Sequence, residues 1–214
     1  MITVYVFGNA PLPVRDVTRD LRALWALEES GLPYRLQRLD YQAGELKRAS
    51  YTKLNPFGQI PAIDDDGFTL FESAAIVLHV AEKAGQLLPK SREGRARAAQ
   101  WAFAAVDTVE PPIIELFAAD AFFAQQAWVK ERRPVLVERV KLRLATLEAE
   151  FASRPYLLGP DFSAPDILMA TVLRLVQQRD LLAAVPRVAA YLERCEARPA
   201  WRQVLAEHRQ RLAA

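Results

Sequence analysis

Three residues within FGQIPAIDDDGFTLFES (57–73) have the types and spacing to hold a small peptide. Pro61 stands at the mouth of an apolar strand, where it removes a backbone donor from any sheet that the strand joins. A cis peptide bond, largely confined to X-Pro, would turn Ile60 so that its N–H and C=O face outward. An extended peptide can pair with such groups as an added strand. Glu72 and Ser73 stand where the next strand gives way to the helical run AAIVLHVAE. The first N–H groups of a helix have no internal partner, and its dipole favours negative charge there. The Ser73 hydroxyl and N–H suit a ligand carboxylate, and Glu72 suits an ammonium group. Together they match both charges of an amino-acid headgroup. Two plainer roles remain open at this point, an edge-strand proline and a serine that caps its own helix.

Other reactive side chains are sparse. His79 lies on an apolar helix and His208 in a charged C-terminal one. Neither has the neighbouring pattern of a metal site or a triad, so structural roles and no metal are expected. The single cysteine, Cys195, excludes an internal disulfide and a two-cysteine redox motif, and reads as a helix residue. Asp64-Asp65-Asp66 reads as a solvated hairpin turn. Trp101, Phe103, Phe117, Phe122 and Phe123 make one later region aromatic, either as a helix-bundle core or, for some of them, as the lining of an apolar pocket.

The elements that position these residues follow from the patterning. ITVYVF (2–7) and YRLQRL (34–39) are strands, separated by a Gly-, Asn- and Pro-containing loop and a helix on Leu21, Leu24, Trp25 and Leu27 that stops at Gly31. A polar stretch with weak helical character runs to Leu54. The hairpin then turns at Asp65-Asp66-Gly67, and a helix from Ser73 ends before Gly85. The order is β-α-β-α-β-β-α. Beyond residues 85–92 the strand signals end and the chain reads as all helix, with breaks at Pro134, 155–165, Pro186 and Pro199, and a kink or split at Pro111-Pro112. Two domains are expected, an α/β domain over 1–84 and an all-α domain over 93–214, joined by a linker at 85–92.

At 214 residues and 51% hydrophobic content the chain is long enough for a full core. Its net charge of +2 and its dispersed arginines exclude a nucleic-acid stripe. No apolar run approaches the roughly 18–20 residues of a membrane span, and the N-terminus reads as a strand rather than a signal peptide. A cytoplasmic protein is expected.

These stretches resemble the glutathione S-transferase family. GQIPAIDDDGFTLFESAAIVLHVAE is similar to its proline-containing strand mouth and Glu-Ser pair, and LRALWALEESGLPYRLQRLD to its first helix and second strand. YLLGPDFSAPDILMATVL is similar to the motif of its helical domain, with Ser163 and Asp166 matching a capping box, and YLERCEARPAWRQVL to its C-terminal segment. The resemblance implies a thioredoxin-like N-terminal domain, a homodimer, and glutathione as co-substrate with no other cofactor. It implies that Ile60, beside a cis Pro61, pairs with the cysteinyl backbone, that Glu72 and Ser73 hold the γ-glutamyl end, and that Gln59 and Lys53 lie near the glycine carboxylate. Asp107 is a weaker candidate for the γ-glutamyl amine. It implies an electrophile pocket in the helical domain, for which Trp101, Phe103 and Phe117 are the candidates. The chain departs from the family where the thiol is activated. FGNAPLPVRDVTRDLR has no Ser, Cys or Tyr after the first strand. Thr18 is the nearest hydroxyl, with Arg15, Arg19 or loop N–H groups as alternatives. The expected activity is addition of the glutathione thiolate to an apolar electrophile; the alternative is a glutathione-binding module for binding or stress response with little turnover.

Overall fold

A computed structural model of the chain describes residues 1–177 and 181–213, in two compact units. The first comprises 1–88 together with 198–214, and the second 89–197.

In the first unit a four-stranded sheet has the order β2-β1-β3-β4, from β1 (Ile2–Phe7), β2 (Tyr34–Leu39), β3 (Ala62–Asp65) and β4 (Phe68–Phe71). β1 runs parallel to β2 and antiparallel to β3, and β3 and β4 form the expected hairpin. Both central turn residues have positive φ, 52° at Asp66 and 95° at Gly67, as the tight Asp-Gly turn requires. Helices α1 (Asp20–Ser30) and α3 (Ser73–Ala84) each end on a left-handed glycine, Gly31 and Gly85. The weakly helical stretch becomes a 3-10 turn at Glu45–Lys47 and the short α2 (Ala49–Thr52). Buried Val4, Val6, Leu24, Trp25, Leu27, Ile76, Val77 and Val80 build the core from alternate strand positions and one helical face. This is the expected thioredoxin-like βαβαββα order.

One expectation changes here. Asp65 is not a solvated turn residue. It is buried, Lys83 donates to both its oxygens at 2.5 and 2.7 Å, and His79 Nε2 lies 2.9 Å away. The Lys83 hydrogen bond, working against burial and aided by His79, holds the carboxyl below its ordinary range. His79 therefore does have a carboxylate neighbour, supplied by the hairpin rather than by its own helix.

The second unit is helical: α4 (Arg92–Phe103), α5 (Glu110–Ala121), α6 (Ala127–Glu150), α7 (Ala164–Gln177) and α8 (Pro186–Glu196). Pro111-Pro112 splits the helix as expected, because α4 passes through a π-helical segment, Ala104–Val109, into α5 with proline in its first turn. Pro134 does not break α6. It sits on the exposed face, where the carbonyl that it frees can take water. Asp166 opens α7 as a buried cap: Oδ2 accepts from the Ser163 N–H at 2.9 Å and its hydroxyl at 2.6 Å, and Oδ1 from the Leu157 N–H at 2.9 Å and Tyr191 at 3.0 Å. Burial raises its pKa, opposed by those four donors.

The last helix, α9 (Pro199–Ala213), follows the helical run in sequence but packs with the first unit. Trp201 rests on Trp25 of α1 with ring centroids 4.6 Å apart. No helix among the described residues is long and apolar enough to cross a membrane.

Candidate functional site

The sheet register brings the candidate residues to one edge. Ala62 pairs with Phe71, so Pro61 and Glu72, one step beyond, flank the open end of the hairpin. Tyr5 also pairs with Ala62, so β1 delivers its loop, residues 8–19, to the same edge. Ile60–Pro61 is a cis peptide bond, and Ile60 lies outside the ladder, which begins at Ala62.

The segment leading to Ile60 is held by residues that patterning alone did not single out. The Gln59 carbonyl accepts from the Tyr51 hydroxyl at 2.5 Å and from Asn55 Nδ2 at 2.7 Å. Gly58, at φ 59°, passes so close to the Leu46 carbonyl that a Cβ would sit 2.8 Å from its oxygen, so the turn requires glycine. The side chains of Gln59 and Lys53 are exposed beside this segment.

Glu72 precedes α3 with φ 72° and ψ 115°, a conformation that costs a non-glycine residue about 1–3 kcal/mol. The Glu72 carbonyl starts the helical ladder by accepting from the Ile76 N–H at 2.9 Å, while its side chain is exposed. Ser73 does not cap its helix. Its buried Oγ accepts from Arg22 Nη1 at 3.1 Å, which ties α1 to α3 and leaves the serine proton without an acceptor among the described residues. Among the described residues no side chain caps α3, so its first N–H groups and its dipole face the edge that Glu72 flanks.

The loop 8–19 is clamped at several points. Asn9 donates to Asp40 Oδ1 at 2.7 Å and accepts from the Tyr41 N–H at 3.0 Å. Arg15 Nε folds back onto the Ala10 carbonyl at 3.1 Å. Arg19 is exposed just before α1, and Thr18 is buried with Oγ1 3.2 Å from His208 Nε2 of α9. His208 thus meets the loop that carries Thr18. Its location on α9 hid this from the sequence, whose only signal was a histidine and an arginine spaced three apart on one helical face.

In the second unit the three aromatic candidates differ in exposure. Phe117 is buried and meets Phe122 edge-on at 6.3 Å, Trp101 is covered by the Arg154 guanidinium 5.2 Å from its ring centre, and Phe103 is exposed. Asp107 is exposed within the π-helical segment. Among the described residues no three His, Cys, Asp or Glu side chains converge in a metal-binding group.

Comparison with known proteins accords with this geometry. The family model for the glutathione S-transferase N-terminal domain matches residues 13–82, and that for the C-terminal domain residues 114–199. Glutathione S-transferase 4 of Zea mays is 34% identical over 191 residues, covering 86% of this chain and 85% of the relative. The disulfide-bond oxidoreductase YfcG of Escherichia coli is 33% identical over 191 residues, covering 84% of this chain and 86% of the relative. A Burkholderia graminis glutathione transferase, crystallised with two glutathione molecules per subunit, superposes with a TM-score of 0.85 at 29% identity, covering 95% of this chain and 87% of that one. A cis proline at a strand mouth, a strained glutamate opening an uncapped helix, and relatives above 30% identity over most of their length lead to one assignment: the chain belongs to the glutathione S-transferase family.

Proposed function

We propose that the chain is a glutathione transferase that binds glutathione at this sheet edge and adds its thiolate to an apolar electrophile, with glutathione as co-substrate and no other cofactor. The observation that carries the reading is the register that sets Pro61 and Glu72 side by side at the uncapped start of α3. Ile60 pairs with the cysteinyl backbone, Glu72 takes the γ-glutamyl ammonium, Ser73 and the α3 N–H groups take its carboxylate, and Gln59 and Lys53 serve the glycine end. The helical domain supplies the electrophile pocket. Exposed Phe103 suits that task, whereas buried Phe117 suits the core.

A free thiol has a pKa of about 8.5, and lowering it by about two requires about 2.7 kcal/mol. Arg15 is turned back on its own loop, and among the described residues the Thr18 hydroxyl proton has no acceptor. Thr18 is therefore the activator in this reading, with Arg19 and loop N–H groups as secondary contributors.

A second reading has a specific support, the 33% identity to a disulfide-bond oxidoreductase. In it, two glutathiones reduce a small disulfide to two thiols and leave as glutathione disulfide, with no protein cysteine taking part. A glutathione titration run beside turnover assays with an aromatic electrophile and with a small disulfide separates the two. Conjugation is expected, and Ser73→Ala should weaken glutathione binding by about 1–3 kcal/mol with folding intact. Disulfide turnover without conjugation would establish the second reading, and binding without either turnover would leave only a binding module.

The family resemblance, together with exposed Phe57 and Phe68 on the first unit, supports a homodimer in the cytoplasm. Sedimentation at micromolar concentration should show twice the 24.1 kDa chain mass; a single-chain species would overturn the dimer.

A further inference from the structure

Helix α9 places two side chains against the loop that carries Thr18. His208 Nε2 lies 2.5 Å from the Arg15 carbonyl oxygen and 3.2 Å from Thr18 Oγ1, while its Nδ1 lies 2.6 Å from Arg211 Nη2. These contacts determine the imidazole's protons. A carbonyl only accepts, so Nε2 carries a hydrogen; a guanidinium only donates, so Nδ1 is bare. His208 is neutral and in its Nε2–H form. Having no lone pair at Nε2, it takes no proton from Thr18, and the threonine oxygen can only share in the Nε2–H as a second acceptor. The Thr18 O–H then has no acceptor among the described residues, and its oxygen is fixed from behind by a donor.

The surroundings keep the imidazole in that form. Burial lowers its pKa, and the Arg211 charge acts in the same direction, against Asp20, the Arg15 carbonyl and Asp16. Arg211 is itself oriented by donating from Nη2 to Asp20 Oδ2 at 3.0 Å and from Nε to the Phe7 carbonyl at 3.2 Å, so it holds the last residue of β1 as well as the start of α1. Asp20 Oδ2 also lies 3.4 Å from the Phe7 N–H. Both ends of loop 8–19 are thus gripped by one turn of α9.

We propose that His208, aligned by Arg211, is a positioning residue for thiol activation: it fixes the Arg15 carbonyl and the Thr18 oxygen so that the Thr18 proton is presented to the glutathione sulfur. The proposal rests on Thr18 being the activator, and the test keeps the two apart.

The imidazole nitrogens report first, without any substitution. Nitrogen NMR of the wild-type protein at neutral pH should show His208 as the Nε2–H form; an Nδ1–H form or an imidazolium would overturn the proposal. The bound thiol's pKa is then read from thiolate absorbance in four variants. Thr18→Val and His208→Leu should each raise it by about one, a tenfold loss of thiolate at neutral pH, with glutathione affinity changed less than about threefold. His208→Gln, which keeps an N–H donor at the ε position, should stay near wild type, an outcome that a purely space-filling role does not give. The double variant Thr18→Val/His208→Leu should match Thr18→Val alone, since one group acts through the other. A raised pKa in Thr18→Val with no change in His208→Leu would overturn the histidine's role and leave Thr18 as activator. A raised pKa in His208→Leu with none in Thr18→Val would overturn the path through threonine and the Thr18 assignment together.

Discussion

Replacing Trp201 by alanine is expected to destabilise the protein by about 3–5 kcal/mol, the usual effect of deleting a buried aromatic side chain. Trp201 is 2% exposed and Trp25 fully buried, with their rings 45° apart and 4.6 Å between centroids. The pair is an apolar contact between α9 and α1, beside a bidentate ion pair of Arg198 with Glu29, 2.6 Å at each contact. Urea unfolding should show the loss as a lower midpoint, with Trp201→Phe recovering much of it. A change below about 1 kcal/mol would mean that α9 contributes little to the first unit, contrary to its packing.

Arg211→Leu should be as damaging, for an electrostatic reason. Its side chain is 3% exposed and that of Asp20 0%, so removing the guanidinium leaves a carboxylate buried without its cation, at a cost of about 3–5 kcal/mol. Asp20 Oδ1 already has no hydrogen-bond partner among the described residues, which leaves little to compensate the loss. The double variant Asp20→Asn/Arg211→Leu removes the charge together with its partner and should be more stable than Arg211→Leu alone. If the two substitutions instead add, the ion pair is not the unit that closes this side of the first domain.

Much of the fold was legible because its signals are local. The strand bounds 2–7 and 34–39, the Asp-Gly turn and the two glycine helix stops follow from short-range pattern and appear where the residues put them. That Pro61 and Glu72 flank the open end of one hairpin, with Ser73 opening the next helix, was legible for the same reason. What supports that edge was not. Arg22 sits inside an apolar run, and Ser73, which accepts from it, lies 51 positions on. Asp65 reads as a turn aspartate until Lys83 and His79 fold over it. Pro134 reads as a breaker because sequence does not show which face of a helix meets solvent. Thr18 was named for its hydroxyl, but the group that fixes its oxygen lies 190 residues away, a separation over which no periodicity carries information.

That separation also bears on how the protein is made. Asp20 leaves the ribosome early and its cation 191 residues later, a delay of roughly 10–40 s at ordinary elongation rates. Through that interval the nascent chain has neither the guanidinium for the carboxylate of Asp20 nor the indole that rests on Trp25. The contacts of α9 with the β1–α1 loop are therefore a property of chains synthesised through α9. A chain that stops before α9 carries Pro61, Glu72 and Ser73, yet lacks Trp201, His208 and Arg211, which contact α1 and the loop before it.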